Sequence, residues 1–291
     1  MKLIFRVAVI EVTRLLALVA GVTSAFLLTA FSISLLNIPY SLIYGPLPFA
    51  EWQVTAFAVA IAVAPAVFVA YVPSFAASGF DIRLSARGLS QREKNLVAKV
   101  EEVLQARAEE TGIKLPQIVW RVQDIGEINA LAYAHNRVCF TKGILHKYGD
   151  TQVGIERLAG VAAHEIGHLR NWDTRIHMFL HYLNLPVNFG IGLANATINR
   201  IPIAGLIFTV ATVLFRIPCD IAYFLNESTS QLREYQADRF AARLMNGIGL
   251  SEFLDDLTHQ DDLQGDTFTA WMMRSHPPTE LRHDELAEAS D

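Results

Sequence analysis

The chain has 291 residues, 52% of them hydrophobic and only 18% charged, with a formal charge of -5. No run of Lys and Arg supplies the basic field that nucleic acid requires, so nucleic-acid binding is set aside. A charged fraction below the usual quarter and a mean hydropathy of +0.29 indicate that part of the chain sits in lipid. The two cysteines, Cys139 and Cys219, are far apart and in no C-x-x-C arrangement. They signal neither a disulfide framework nor a thiolate zinc site, and a reducing compartment fits best.

In chain order, no Asp, Glu, Lys or Arg occurs from Leu15 to Ile38 or from Gln53 to Phe80. Each run exceeds the roughly 20 residues that cross a bilayer core. The link Pro39 to Trp52 holds Pro39, Gly45, Pro46 and Pro48 and a single charge, Glu51, and reads as a tight turn. Residues 1–80 are thus expected to form a transmembrane hairpin. Lys2, Arg6 and Arg14 precede the first span and Arg83, Arg87, Arg92 and Lys94 follow the second, which by the positive-inside rule turns both ends of the hairpin to the cytoplasm. The first run is too long for the apolar stretch of a cleaved signal peptide, so it reads as a retained anchor.

Residues 81–175 turn soluble. Ser90-Gln91-Arg92-Glu93 is a capping box, Leu96, Val97, Val100, Val103 and Leu104 follow at helical spacing, and Thr111-Gly112 is a stop. The β-rich stretches Ile118–Val122 and Arg137–Thr141 flank Asn129–Asn136 and predict two short strands of a small sheet. Thr151 is placed to cap a helix running to about Asp173, with Leu158, Ala162, Ile166 and Leu169 on one face. Residues 176–225 are hydrophobic again and carry His177 and His181. They read either as two more spans or as a hairpin buried partly in protein and partly in the membrane surface, with membrane association favoured. Arg216 and Asp220 there are one helical turn apart and placed to pair. Residues 226–291 are polar, with a helix around Leu232–Met245 and an acidic tail after Leu286.

His164-Glu165-Ile166-Gly167-His168 matches H-E-x-x-H. Residues four apart share a helix face, so both imidazoles reach one zinc ion while Glu165 lies beside it and takes a proton from water. A catalytic zinc needs a third protein ligand. Glu234-Tyr235-Gln236-Ala237-Asp238 offers Glu234 as that carboxylate and Asp238, one turn on, as an acceptor that orients a ligating imidazole. His177 and His181 repeat the spacing without a Glu between them or a third ligand nearby, and read as core or interfacial histidines.

These pieces, in this order, resemble the HtpX-like membrane zinc peptidases, bacterial heat-shock proteases related to the prenyl-protein (CAAX) endopeptidases. The similarity runs through Thr111-Gly112-Ile113, Ile128-Asn129-Ala130, Thr141-Lys142-Gly143, the H-E-x-x-H helix, Asn171 and Asp173, Arg233 to Asp238, and His276-Pro277-Pro278. Leu131 stands where the family often has an aromatic, and Gln231 or Leu232 where it has a second Arg.

The resemblance implies a mainly α membrane protein. Its parts would be an N-terminal transmembrane hairpin and an α+β gluzincin-type peptidase domain with a small sheet, with a second hydrophobic hairpin inserted between the metal motifs. It also implies a multi-pass protein of the bacterial inner membrane that cleaves membrane or misfolded proteins at a cytoplasmic site. One Zn2+ per chain would be held by His164, His168 and Glu234. The resemblance further implies that His276 and Arg282 lie close to the metal, where they would steady an oxyanion. It makes Asn129 and Ala130 the start of an edge strand to which substrate adds by β-augmentation. The rival readings are a non-catalytic membrane scaffold and an intramembrane site-two-type peptidase. The second lacks its Leu-Asp-Gly here, and Arg170, Asp173 and Arg175 after the motif argue for a water-exposed site.

Overall fold

The computed structural model describes residues 2–197 and 202–245, together with Gly249, Leu250, Leu254 and Arg282. The chain divides into two compact units, Met1–Val72 with Ile176–Thr229, and Pro73–Arg175 with Ser230–Asp291.

The first unit is helical: α1 (Lys2–Tyr44), α2 (Glu51–Tyr71), most of α7 (Asp173–Thr197), and α8 (Pro202–Ser228). α1 continues through Pro39, where a turn was expected, and the chain reverses only at Gly45, with φ +86°. Proline has a helical φ and removes one hydrogen bond, so a long apolar helix survives it. The second apolar run is instead divided. Val72 precedes Pro73 and leaves the helical region (φ -117°, ψ 68°), which ends α2 and starts a separate α3 (Pro73–Arg83).

Ile4–Tyr44 and Glu51–Val69 are long and apolar enough to cross a membrane. Small residues bring the helices of this unit together. Gly21 of α1 faces Leu180 and Leu183 of α7, and a Cβ there would lie 2.9 Å from Leu183 Cδ2. Ala17, Ala25, Ala62, Ala66 and Ala222 are buried. The Ser24 hydroxyl donates to the Phe215 carbonyl at 2.6 Å, a link between α1 and α8 of the kind that joins helices in apolar surroundings. Large apolar side chains such as Leu15, Leu16, Phe57, Phe68, Phe189, Ile217 and Phe224 point outward. Arg216 and Asp220 on α8 pair at 3.1 Å.

The second unit is built on a four-stranded sheet of order β1-β2-β4-β3, with β1 at Ala86–Arg87, β2 at Val119–Gln123, β3 at Ala130–Tyr133 and β4 at Arg137–Thr141. The two expected strands, β2 and β4, are parallel neighbours, Val119 opposite Arg137. The edge strand that the resemblance starts at Asn129 and Ala130 lies inside the connection between them, where β3 pairs antiparallel with β4, Leu131 opposite Cys139. Ala-Leu-Ala-Tyr has little β-propensity of its own, and the pairing is supplied by its neighbour.

Helices α4 (Gln91–Thr111), α5 (Lys142–Tyr148), α6 (Gln152–Arg170) and α9 (Ser230–Met245) complete the unit. α4 begins at the capping box, with the Ser90 N–H donating to Glu93 Oε2 at 2.6 Å, and stops at Gly112, whose φ is +66°. Val97, Val100, Leu104, Trp120, Phe140, Leu158, Ile166 and Leu244 share one core.

Arg87 ties this unit at its edge, reaching Glu93 at 2.8 Å and Asp124 at 2.7 Å. The hydrogen bond from Arg87 is the main reason that the Glu93 carboxyl is held down at about 2. A carboxyl depressed on folding stabilises the fold fully above its ordinary range and loses that contribution as pH falls towards the folded value. Arg87→Ala is therefore expected to unfold at a higher pH than the native chain in an acid titration followed by circular dichroism, with the difference shrinking in high salt. Coincident titrations would assign the bridge no part in stability.

Candidate metal centre

α6 carries the H-E-x-x-H residues and runs through the middle of the second unit. Thr151 caps it, its Oγ1 accepting the Gly154 N–H at 3.0 Å. The sequence predicts an amphipathic helix. In the structure both faces are buried, Ala159, Ala163 and Val161 as well as Leu158, Ala162 and Ile166. It is a core helix packed by α4, α9 and β3, and its alanines and glycines are interior contacts.

Gly167 sets the distance to α9. A Cβ at this position would lie 2.9 Å from the Ala237 Cα and 3.2 Å from its Cβ, so only a bare backbone admits α9 this close. The approach places Glu234 against both imidazoles. His164 Nε2 lies 3.3 Å from Glu234 Oε2, and His168 Nε2 lies 3.3 Å from Glu234 Oε1. The two Nε2 atoms are 3.2 Å apart. One ligand atom from each residue falls within 4.8 Å of the others, and among the described residues no other such group of His, Cys, Asp and Glu forms.

The far nitrogen of each ring meets its own acid. His164 Nδ1 is 2.8 Å from Asp238 Oδ1, and His168 Nδ1 is 2.9 Å from Asp173 Oδ2. Each Nδ1–H donates to a carboxylate, which turns both Nε2 lone pairs inward towards each other and towards Glu234. Two lone pairs and a carboxylate converging in a buried space repel unless a cation lies among them. The proton titration of the rings follows the same field. Burial alone would lower both, yet Asp238 and Glu234 hold His164 above its ordinary value, and Glu234 and Asp173 hold His168 well above it. Two imidazoles and one carboxylate are also the donor types that a catalytic zinc accepts.

The remaining predicted residues fall as follows. Glu165 is buried on α6, next to His164. Asp238 is buried on α9, and Arg282 grips it with Nε at 2.8 Å and Nη2 at 2.6 Å, while Nη2 stays 3.8 Å from Glu234. Asp238 and the neighbouring acids keep the Arg282 guanidinium charged against its burial. His276 lies outside the described residues.

Asn129 precedes β3, and its Oδ1 accepts the Ala130 N–H at 2.8 Å. The Thr141 N–H donates to the Asn129 carbonyl at 3.0 Å, so by alternation Ala132 turns its N–H and C=O away from β4. No strand among the described residues pairs with that outer edge.

Asp173 is a site residue to which the sequence alone assigns no role at the metal. Beside Arg170 and Arg175 in the sequence it reads as a sign of water exposure, whereas its side chain is only 8% exposed. Its signals in the sequence are its place among the residues that carry the family resemblance and its position five residues after His168, at the start of a helix.

The Gly167 contact makes a prediction of its own. Gly167→Ala forces α9 outward and is expected to cost about 1–3 kcal/mol of stability, typical of overpacking. It is also expected to weaken metal binding, because Glu234 moves with α9. Thermal melts with and without zinc measure both, and an unchanged zinc-induced shift would show that the helix spacing does not set the site.

The sequence profile of peptidase family M48 matches residues 91–290. The chain belongs to that family. This M48 metallopeptidase is 28% identical over 226 residues to Protease HtpX of Shewanella frigidimarina (strain NCIMB 400), covering 67% of the chain and 75% of the relative. It is 29% identical over 213 residues to Protease HtpX of Shewanella halifaxensis (strain HAW-EB4), covering 62% and 70%. It is 28% identical over 195 residues to the Protease HtpX homolog of Bacteroides fragilis (strain YCH46), covering 62% and 57%.

Proposed function

We propose that this M48 peptidase is a membrane-bound zinc endopeptidase that cleaves membrane or misfolded proteins at a cytoplasmic site, with one zinc per chain held by His164, His168 and Glu234. The observation that carries this reading is the convergence of two Nε2 atoms and the Glu234 carboxylate, with each opposite ring nitrogen given to an acid. Zinc bound there supplies a Lewis acid that polarises the scissile carbonyl and acidifies a water molecule. Glu165 accepts the proton of that water as its oxygen attacks the carbonyl carbon, and delivers it to the amine nitrogen as the C–N bond breaks. Asp238 keeps His164 in one tautomer and orientation, and Arg282, with its fork on Asp238, holds that acid in place. His276 is proposed to join the site from the His-Pro-Pro segment and, with the Arg282 charge, to steady the oxyanion. Asn129 and Ala130 lead the strand whose outer edge takes the substrate backbone, beginning at the outward-facing Ala132 groups.

The membrane part of the reading is supported by the outward-facing apolar side chains of α1 and α2. Each helix of the first unit also contains an internal proline, Pro39, Pro65, Pro186 and Pro218, whereas α4, α6 and α9 contain none. Proline inside helices is more common in membranes than in water. Tyr40, Tyr44 and Trp52, exposed around the α1–α2 turn, are residues favoured at a bilayer interface. These features also support a membrane role for residues 176–225. The basic residues flanking the hairpin support a cytoplasmic active site.

Purified in detergent, the chain is expected to hold one zinc and to cleave casein, to lose cleavage on chelation, and to regain it with one equivalent of zinc. Cleavage that survives removal of the metal would overturn the proposal.

A further inference from the structure

The corner between α6 and α7 is strained in a way that packing does not explain. α6 ends at Arg170, Asn171 caps it, and α7 starts at Asp173, leaving Trp172 to turn the chain with φ +67°. The left-handed region costs a non-glycine residue about 1–2 kcal/mol. The Trp172 ring does not offset this by burial, because it is 57% exposed and is covered on one face by the Arg175 guanidinium, 4.6 Å from its centre. The turn serves the two residues that follow it.

Asp173 points back at the end of α6 and meets His168 Nδ1 at 2.9 Å. Thr174 donates its hydroxyl to the Ala134 carbonyl at 2.7 Å. Ala134 is the first residue past β3, is buried, and itself has φ +53°. Consecutive side chains therefore hold, on one side, the second imidazole of the metal group and, on the other, the end of the edge strand. A continuous helical exit from α6 would carry both side chains away from these partners, and that geometry gives the left-handed Trp172 its function.

We propose that the corner Trp172–Thr174 is a positioning element of the peptidase. Asp173 fixes the ring of His168 for metal binding, and Thr174 fixes the end of β3 in register with it. The inference rests on the reading of His168 as a ligand and of β3 as the substrate strand. Asp173 is thereby the counterpart of Asp238: each imidazole is oriented by a carboxylate from a different helix. Asp238 has the Arg282 fork behind it, and Asp173 has Arg233 Nε at 3.9 Å. Neither Asp173 nor Thr174 touches the reacting atoms, so both act through the residues they hold.

The test uses the full chain in detergent, with zinc affinity measured by competition against a chelating dye and peptide cleavage measured separately. Removing an outer partner of a ligating histidine lowers metal affinity by about 10–100-fold, and Asp173→Ala is expected in that range. Asp173→Asn, whose amide oxygen still accepts from Nδ1–H but carries no charge, is expected between native and Asp173→Ala. Asp173→Glu is the attempted rescue. Thr174→Val is expected to keep native zinc affinity and to raise KM for an extended peptide, and Thr174→Ser to return KM to native.

His168→Ala is the control that separates the two readings. If it binds zinc with native affinity, the ligand assignment fails. If it loses zinc while Asp173→Ala binds as tightly as native, the ligand assignment stands and the positioning role is overturned. If Asp173→Ala does not fold, Asp173→Asn decides, and native affinity in it overturns the role. A Thr174→Val chain with native KM removes the strand half of the inference.

Discussion

Glu165→Gln is expected to bind one zinc per chain and to lose about 10²–10⁴-fold in kcat, the range that a general acid–base group contributes. The substitution keeps shape and volume at a buried position on a helix packed on both faces, so the fold has no reason to change. Glu165 is outside the group that converges on the metal position, which contains His164, His168 and Glu234, so its charge is not needed to hold the ion. An amide cannot accept the proton of the attacking water or return it to the leaving nitrogen. The loss therefore falls on kcat, with KM nearly unchanged, because the interaction removed is made in the transition state. Metal analysis together with single-turnover cleavage measures both halves. A variant that cuts at the native rate would remove Glu165 from this role, and one that loses zinc would make it a structural neighbour of the ligands.

What could be read in the sequence is what local chemistry decides. Ser90 and Glu93 cap α4 through their own side chains, and Gly112 stops it through its own φ, so both ends of that helix are visible in the residues that make them. The spacing of His164 and His168 is likewise a property of one helix. Features decided by neighbours were not legible. β3 forms on the edge that β4 offers it, and Ala130–Tyr133 announces a strand only through the family resemblance, which starts an edge strand at Asn129 and Ala130. α6 reads as amphipathic because alanine and glycine look neutral on a helical wheel, yet Gly167 is the residue that lets α9 close on it. Asp173 illustrates the same limit at the site. An acid after H-E-x-x-H reads as polar surface until the turn at Trp172 is seen to fold it back on His168. The long-range approach of α9 to α6, which brings a carboxylate 66 positions from His168 against both imidazoles, was accessible only through a motif whose meaning depends on the first.

That approach is also the point at which the site is most sensitive. Glu234→Ala leaves two imidazoles and no third donor, and a catalytic zinc needs three protein ligands. The loss of zinc affinity is expected to exceed the about 10–100-fold that removing an outer partner such as Asp173 or Asp238 produces. Glu234→Asp should fall between, because α9 is held against Gly167 and cannot advance to restore the distance lost with one methylene. The clearest readout is thermal. A ligand that binds only the folded state at a thousandfold excess over its Kd stabilises by about 4 kcal/mol, so zinc is expected to raise the melting temperature of the native chain. At the same free zinc the Glu234→Ala chain should show little of that increment. Equal zinc-induced shifts in the two chains would mean that Glu234 does not hold the metal, and that its 3.3 Å contacts with the two rings are an ion pair and nothing more.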